Sequence, residues 1–159
     1  MYRLEIDLIR EFQRHLSSYA SPFKIDSIGT EFYYLNGRVD IVAIDYSRKL
    51  LAFEGKLMRW RQALNQAYRS TSFADCSYVV LPLTTAEVAI KRQAEFSRRG
   101  VGLIGVSSNG IDILLSASPG RKLQPWIGKK ALAFLAKKVN GDNYDPSRNG
   151  AHCSTDLPQ

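Results

Sequence analysis

Two short stretches hold the residue types that hydrolytic chemistry needs. One is Gly37-Arg38-Val39-Asp40-Ile41-Val42-Ala43-Ile44-Asp45, the other Leu51-Ala52-Phe53-Glu54-Gly55-Lys56. Both read as strands, and side chains alternate between the two faces of a strand. Glu54 and Lys56 therefore leave the later strand on one face, with Leu51 and Phe53 on the other. Antiparallel pairing of the two strands brings Asp40 close to Glu54. Two carboxylates, a backbone carbonyl and a lysine then meet at one end of a sheet. Mg²⁺ is a hard cation that takes oxygen ligands, keeps waters and uses one or two carboxylates. Asp40, Glu54 and the carbonyl of Gly55 make such a donor set, on which Mn²⁺ is expected to substitute. Metal chemistry of this kind lowers the pKa of a bound water and neutralises charge on a phosphate. Lys56 would orient or deprotonate the attacking water, or stabilise the transition state. The expected chemistry is phosphodiester hydrolysis. The plainer alternative is a solvated strand end on which Asp40 and Glu54 pair with Arg38 and Lys56.

The elements that must hold these residues follow from periodicity. Leu4, Leu8, Ile9, Phe12 and Leu16 recur at helical spacing, which predicts an amphipathic helix over Tyr2 to Leu16. Phe23 to Tyr34 predicts a first strand, with a bulge at Gly29. Asn36-Gly37 is a hairpin turn signal. Val39 to Asp45 and Leu50 to Lys56 complete an antiparallel meander. Met58 to Phe73 predicts a helix with Trp60, Ala63, Leu64 and Ala67 on its buried stripe. Ser77 to Leu81 is apolar throughout, as in a buried central strand. Thr84 to Glu87 fits a capping box that opens a helix running to Arg99, with Gly100 as its C-cap. Val101 to Val106 and Ile111 to Ser116 predict two strands joined at Asn109-Gly110. A last helix spans Ile127 to Val139. Residues 1–139 form one expected domain, and residues 140–159 a polar, flexible tail. A buried strand after a crossover helix makes the sheet mixed and the class α/β or α+β.

Asp40 and Glu54-Gly55-Lys56, in this order of elements, resemble the PD-(D/E)XK nuclease superfamily. That fold is shared by restriction endonucleases and archaeal-type Holliday junction resolvases. The resemblance covers roughly Leu4 to Ser116. It implies a restriction-endonuclease-like α-β-β-β-α-β core, α/β in class, with its mixed central sheet flanked by helices. It also implies an acid on the second strand and E-x-K on the third. The helix from Lys56 to Ala67 and the strand from Ala74 to Pro82 are similar to elements of compact members. Members often carry a glutamate on the first helix near the metal, and Glu5 is the best match, with Glu11 second. Some carry Q-x-x-x-Y on the helix after E-x-K. Here Ser70 stands four residues after Gln66, although Gln62 and Gln66 remain candidates for contact with the site or with DNA. Val39 replaces the proline before the acid, which does not affect metal ligation. The implied activity is a Mg²⁺-dependent endodeoxyribonuclease acting on DNA, and a homodimer by analogy.

Charge points the same way. The 159 residues carry 22 Lys+Arg against 15 Asp+Glu, a net charge of +7, which suggests a polyanionic partner. Lys56, Arg59, Arg61 and Arg69 fall in one stretch free of acids. Arg121, Lys122, Lys129, Lys130, Lys137 and Lys138 fall in another, near Trp126. Arg38, Arg59, Arg61, Arg69, Arg121 and Lys122 are the expected phosphate contacts. Gly100-x-Gly102-x-x-Gly105 follows a helix instead of opening one, so no nucleotide cofactor is expected. No apolar run is long enough for a transmembrane helix, no signal peptide is visible, and cytoplasmic location is the default. Cys76 and Cys153 make no disulfide framework or zinc cluster. His15 and His152 have no catalytic partners in spacing. Two rivals remain: a catalytically silent nuclease-fold module that binds nucleic acid or a protein, and a basic structural protein whose E-x-K is coincidental.

Overall fold

The computed structural model describes residues 1–142. Helix α1 (Glu5–Leu16) precedes strands β1 (Ile25–Tyr34), β2 (Gly37–Asp45) and β3 (Leu50–Gly55). Helix α2 (Trp60–Ser70) leads to β4 (Cys76–Pro82). Helices α3 (Leu83–Ala89) and α4 (Gln93–Ser97), separated by a 3₁₀ turn, lead to β5 (Gly102–Ser107). Strand β6 (Gly110–Leu115) and helix α5 (Pro125–Asp142) follow. The six strands lie side by side in chain order. β1, β2 and β3 are antiparallel neighbours, β3, β4 and β5 are parallel, and β6 returns antiparallel to β5. The chain is therefore α/β, with the expected α-β-β-β-α-β order at its front.

The sheet has an unequal covering. On one face α1 stands alone among the described residues, burying Leu8, Ile9, Phe12 and Leu16 against Ile41, Ala43, Leu51, Phe53, Val80 and Ile104. On the other face α5 covers Phe32, Val42, Ile44 and Ala52. Beside it, α2, α3 and α4 cover Val79, Leu81 and Leu103. Alternation thus sends Phe53 to α1 and Ala52 to α5. α1 lies over β3 to β6, so the turn end of the β1–β2 hairpin on its face stays open.

That hairpin carries an irregularity. Val39 packs on the α5 side, whereas Ile41 and Ala43 pack on the α1 side. Residues two apart in a regular strand share a face. Phe32 joins the α5 side, while Thr30 lines a groove beside α1, so β1 changes face at the same level. Between them sits Glu31, whose φ of 55° is left-handed. The predicted bulge at Gly29 is absent: Gly29 pairs regularly with Val42, and the register shift falls at Ile25/Ser27. A Cβ at Gly29 would meet the Phe134 ring at 2.4 Å, which accounts for the glycine by close packing of α5.

Several boundaries differ from expectation. α1 starts at Glu5, where the Asp7 carboxylate accepts the Leu4 backbone N–H at 3.1 Å. The capping box at Thr84 does not form. α3 starts at Leu83, and the Thr85 hydroxyl donates to the Leu57 carbonyl at 3.0 Å instead. The single helix expected to Arg99 breaks at Ile90–Arg92. The tightened turn leaves polar Gln93 exposed and returns Phe96 to the core. α2 is shorter than expected, and Met58 is exposed ahead of it. α5 begins with Pro125 at its first turn and runs to Asp142, past the expected start of the tail. The rest of that tail, with His152 and Cys153, lies outside the described residues. Cys76 is half-buried at the start of β4.

The glycine triplet is structural, as expected. A Cβ at Gly102 would meet the Tyr78 ring, and one at Gly105 would meet Leu83. Gly100 has φ of 68°, and Val101 N–H reaches back to the Phe96 carbonyl, as in a helix C-cap. Gly100→Ala has room for its methyl but not the backbone angle. It should lower unfolding stability by about 1–2 kcal/mol in urea titration.

Candidate active site

The site lies where β2 and β3 approach the open end of the hairpin. Ile41 pairs with Phe53, and one more step of that register sets Asp40 across from Glu54. Asp40 is tied in place: its Oδ2 accepts the Gly55 backbone N–H at 2.9 Å, and its Oδ1 accepts from Arg38 at 3.1 Å. Glu54 is 3% exposed, and its Oε1 has no hydrogen-bond partner. Burial, then the charge of the nearby Asp40 carboxylate, push the Glu54 pKa up to about 9. Arg38 and Lys56 act against that rise without cancelling it. The metal-free pair is relieved by a proton on Glu54 and by Arg38 on Asp40.

Lys56 stands one residue past β3, and its N–H still bonds the Val80 carbonyl at 3.1 Å. Its ammonium reaches the Glu5 carboxylate on α1 at 3.1 Å. Glu5 therefore comes to the site through Lys56. Glu11, the second choice, is turned away: it pairs with Arg14 and His15, and His15 Nε2 bonds the Ser107 carbonyl at 3.0 Å. His15 is accordingly a pin between α1 and the β5–β6 turn.

The predicted phosphate contacts divide into separate places. Arg38 lies at the site, between Asp40 and, at 4.0 Å, Glu31. Tyr33 first, then Asp40, raises its pKa further. Arg59 and Gln62 are exposed at the start of α2, and Arg69 at its end. Gln66 is half-buried, and its Oε1 lacks a partner. Arg61 makes two bonds to Glu95, at 2.9 and 3.2 Å, and lies over the Trp60 ring. Trp60 in turn stacks on Phe96, half-buried, so its place on the inner stripe holds only in part. Arg121 lies over Tyr68 at 4.6 Å, and Lys122 pairs with Asp75. Both belong to a loop stitched to the end of α2, since Gly120 N–H donates to the Asp75 carbonyl at 2.7 Å and Lys122 N–H to the Thr71 carbonyl at 3.1 Å.

Comparison with solved structures gives a protein of unknown function from Silicibacter pomeroyi, SPO1766, with a TM-score of 0.60 and 20% identity. The match covers 91% of this chain and 94% of that one. The likeness is one of fold. A repair endonuclease from Pyrococcus abyssi matches more distantly, with a TM-score of 0.38 and 14% identity over 68% of this chain and 48% of that one. No family model and no curated protein matches the chain. No helix among the described residues is long and apolar enough to cross a membrane.

The donor set fits a hard divalent cation. Asp40 and Glu54 offer carboxylate oxygens, one of them buried and unpartnered, and Mg²⁺ needs only one or two such groups beside water. Among the described residues no three His, Cys, Asp or Glu side chains gather as a metal cluster, and Glu5 pairs with Lys56.

Sequence reading missed two parts of this region. Tyr34 is near enough that burial, then the Glu54 charge, raises its hydroxyl pKa. An open groove of about 430 Å³ beside Asp40 is lined by Ile6, Arg10 and Gln13 of α1 and by Thr30 of β1. Ile6, Arg10 and Gln13 follow helical spacing, a legible signal once α1 is known to flank the site.

Proposed function

We propose that this chain is a Mg²⁺-dependent nuclease of the PD-(D/E)XK type that hydrolyses phosphodiester bonds in DNA. The observation that carries the reading is the juxtaposition of Asp40 with Glu54, whose buried Oε1 has no partner. The order α-β-β-β-α-β and the E-x-K at the end of β3 support it. Asp40, Glu54 and the Gly55 carbonyl would hold the ion. When bound, it would supply an activated water and charge neutralisation at the phosphate. The chain's own groups do the rest. Asp40 is oriented by the Gly55 N–H and by Arg38, so its carboxylate is fixed before substrate arrives. Lys56 exchanges Glu5 for the phosphate or the attacking water, and half-exposed Glu5 can turn to solvent. Glu5 can then accept a proton at its freed oxygen.

One observation favours a second reading, a silent module that binds without cutting. Both cations at the site are matched by acids in the absence of substrate, Lys56 by Glu5 and Arg38 by Asp40. The deciding assay offers supercoiled, branched, linear duplex and single-stranded DNA, and RNA, with Mg²⁺ or Mn²⁺. Metal-dependent cleavage that EDTA stops is the expected result. Binding without cleavage under every condition selects the silent module.

A further inference from the structure

We infer that the groove between α1 and the β1–β2 hairpin is a subsite for one unpaired nucleotide next to the reacting phosphate. The inference takes the position of that phosphate from the nuclease reading above. The groove exists because α1 covers β3 to β6 and leaves the turn end of the hairpin open on that face. Its volume of about 430 Å³ lies within the range of about 300–1,000 Å³ usual for sites of small ligands. A single nucleotide fits such a space and a duplex does not.

Its lining has the chemistry of a nucleotide site. Ile6, an exposed apolar residue, gives a surface for a base or sugar, with Ile9 beneath it. Gln13 and Thr30 carry hydrogen-bonding groups. Arg10 and Arg38 bring guanidinium groups from opposite walls. The acids there are already matched, Glu31 and Asp40 by Arg38 and Glu5 by Lys56. Arg10 has no ion-pair partner among the described residues, so it is the cation left for a phosphate. Glu31, at the rim, holds a left-handed φ that a non-glycine residue adopts at a cost, and such residues cluster at ligand sites. Asp40 lines the groove as well, so a strand seated in it passes directly to the proposed metal ligands.

The test uses the whole chain and fluorescence anisotropy with a labelled oligothymidylate and a blunt duplex of equal length, in Ca²⁺. Wild type should prefer the single strand. Arg10→Ala and Gln13→Ala should each weaken single-strand binding by about tenfold while duplex binding changes little. Lys91→Ala, exposed on the opposite layer, should change neither. Circular dichroism melting confirms that the variants fold. Equal binding of both probes, or single-strand binding unaffected by Arg10→Ala, overturns the subsite even if wild type cleaves. Loss of single-strand binding in Arg10→Ala, in a protein that never cleaves, keeps the subsite and discards the nuclease.

Discussion

Glu54→Gln should abolish the proposed metal-dependent cleavage and, at the same time, make the metal-free protein more stable at alkaline pH. The first half follows from the proposed ligand set. Removing one of two carboxylates takes away several kcal/mol of transition-state stabilisation, a rate loss of about 10³-fold or more. The second half follows from burial. A carboxyl with a folded pKa of about 9, against 4.5 when unfolded, holds its proton more tightly in the native state. That contribution is complete below about pH 4.5 and is lost as the pH rises towards about 9. Wild type without divalent cations should therefore melt at steadily lower temperature across this interval. Glu54→Gln, neutral throughout, should lack that part of the slope and exceed wild type near the upper limit by about 1–3 kcal/mol. Calorimetry across pH, with and without Mg²⁺, checks both halves. A variant that keeps more than about a tenth of the wild-type rate would remove Glu54 from the chemistry. An unchanged pH slope would mean that Glu54 is not buried as a neutral acid.

Phe53→Ala should be the most damaging of the core truncations. Phe53 is fully buried in β3, one residue before Glu54. Its ring meets Phe12 edge-on at 5.0 Å and Phe23 at 5.5 Å, and stacks on Tyr78 at 5.7 Å. Truncation removes the ring's burial and leaves a cavity between α1 and the sheet, a loss of about 3–5 kcal/mol. Val88→Ala, on the exposed side of α3, should cost less than about 0.5 kcal/mol. Urea unfolding of both variants gives the comparison. A loss at Phe53 no greater than at Val88 would contradict the packing of α1 described above.

Sequence reading placed Asp40 close to Glu54 through antiparallel pairing of β2 and β3, and the observed register, with Ile41 opposite Phe53, agrees. It also found the glycine roles in β5, where strand and helix periodicities meet at Gly100. It could not find the face change at Glu31 and Asp40, since a left-handed glutamate has no compositional mark. The Thr84 capping box failed because α3 already begins at Leu83 behind Pro82, which puts Thr84 inside the first turn. The basic stretch from Lys56 to Arg69 looked continuous in sequence. A helix turns successive residues about its axis, however, and Glu95 claims Arg61 from a neighbouring element. Sequence order likewise gives no sign of the long-range Lys122–Asp75 pair.

The order of the six strands carries a consequence for how the chain acquires its shape. Each strand pairs with the one before it in sequence, so none must insert between two already placed. The sheet can grow at one edge as the chain leaves the ribosome, closing either a turn or a helical crossover at each addition. Helix α5 is the exception, since it comes last and packs on β1 and β2. The first hairpin must wait, with Phe32, Val42 and Ile44 uncovered on that face, until nearly the whole domain has been made. That interval is when the nascent chain is most open to aggregation or to a chaperone.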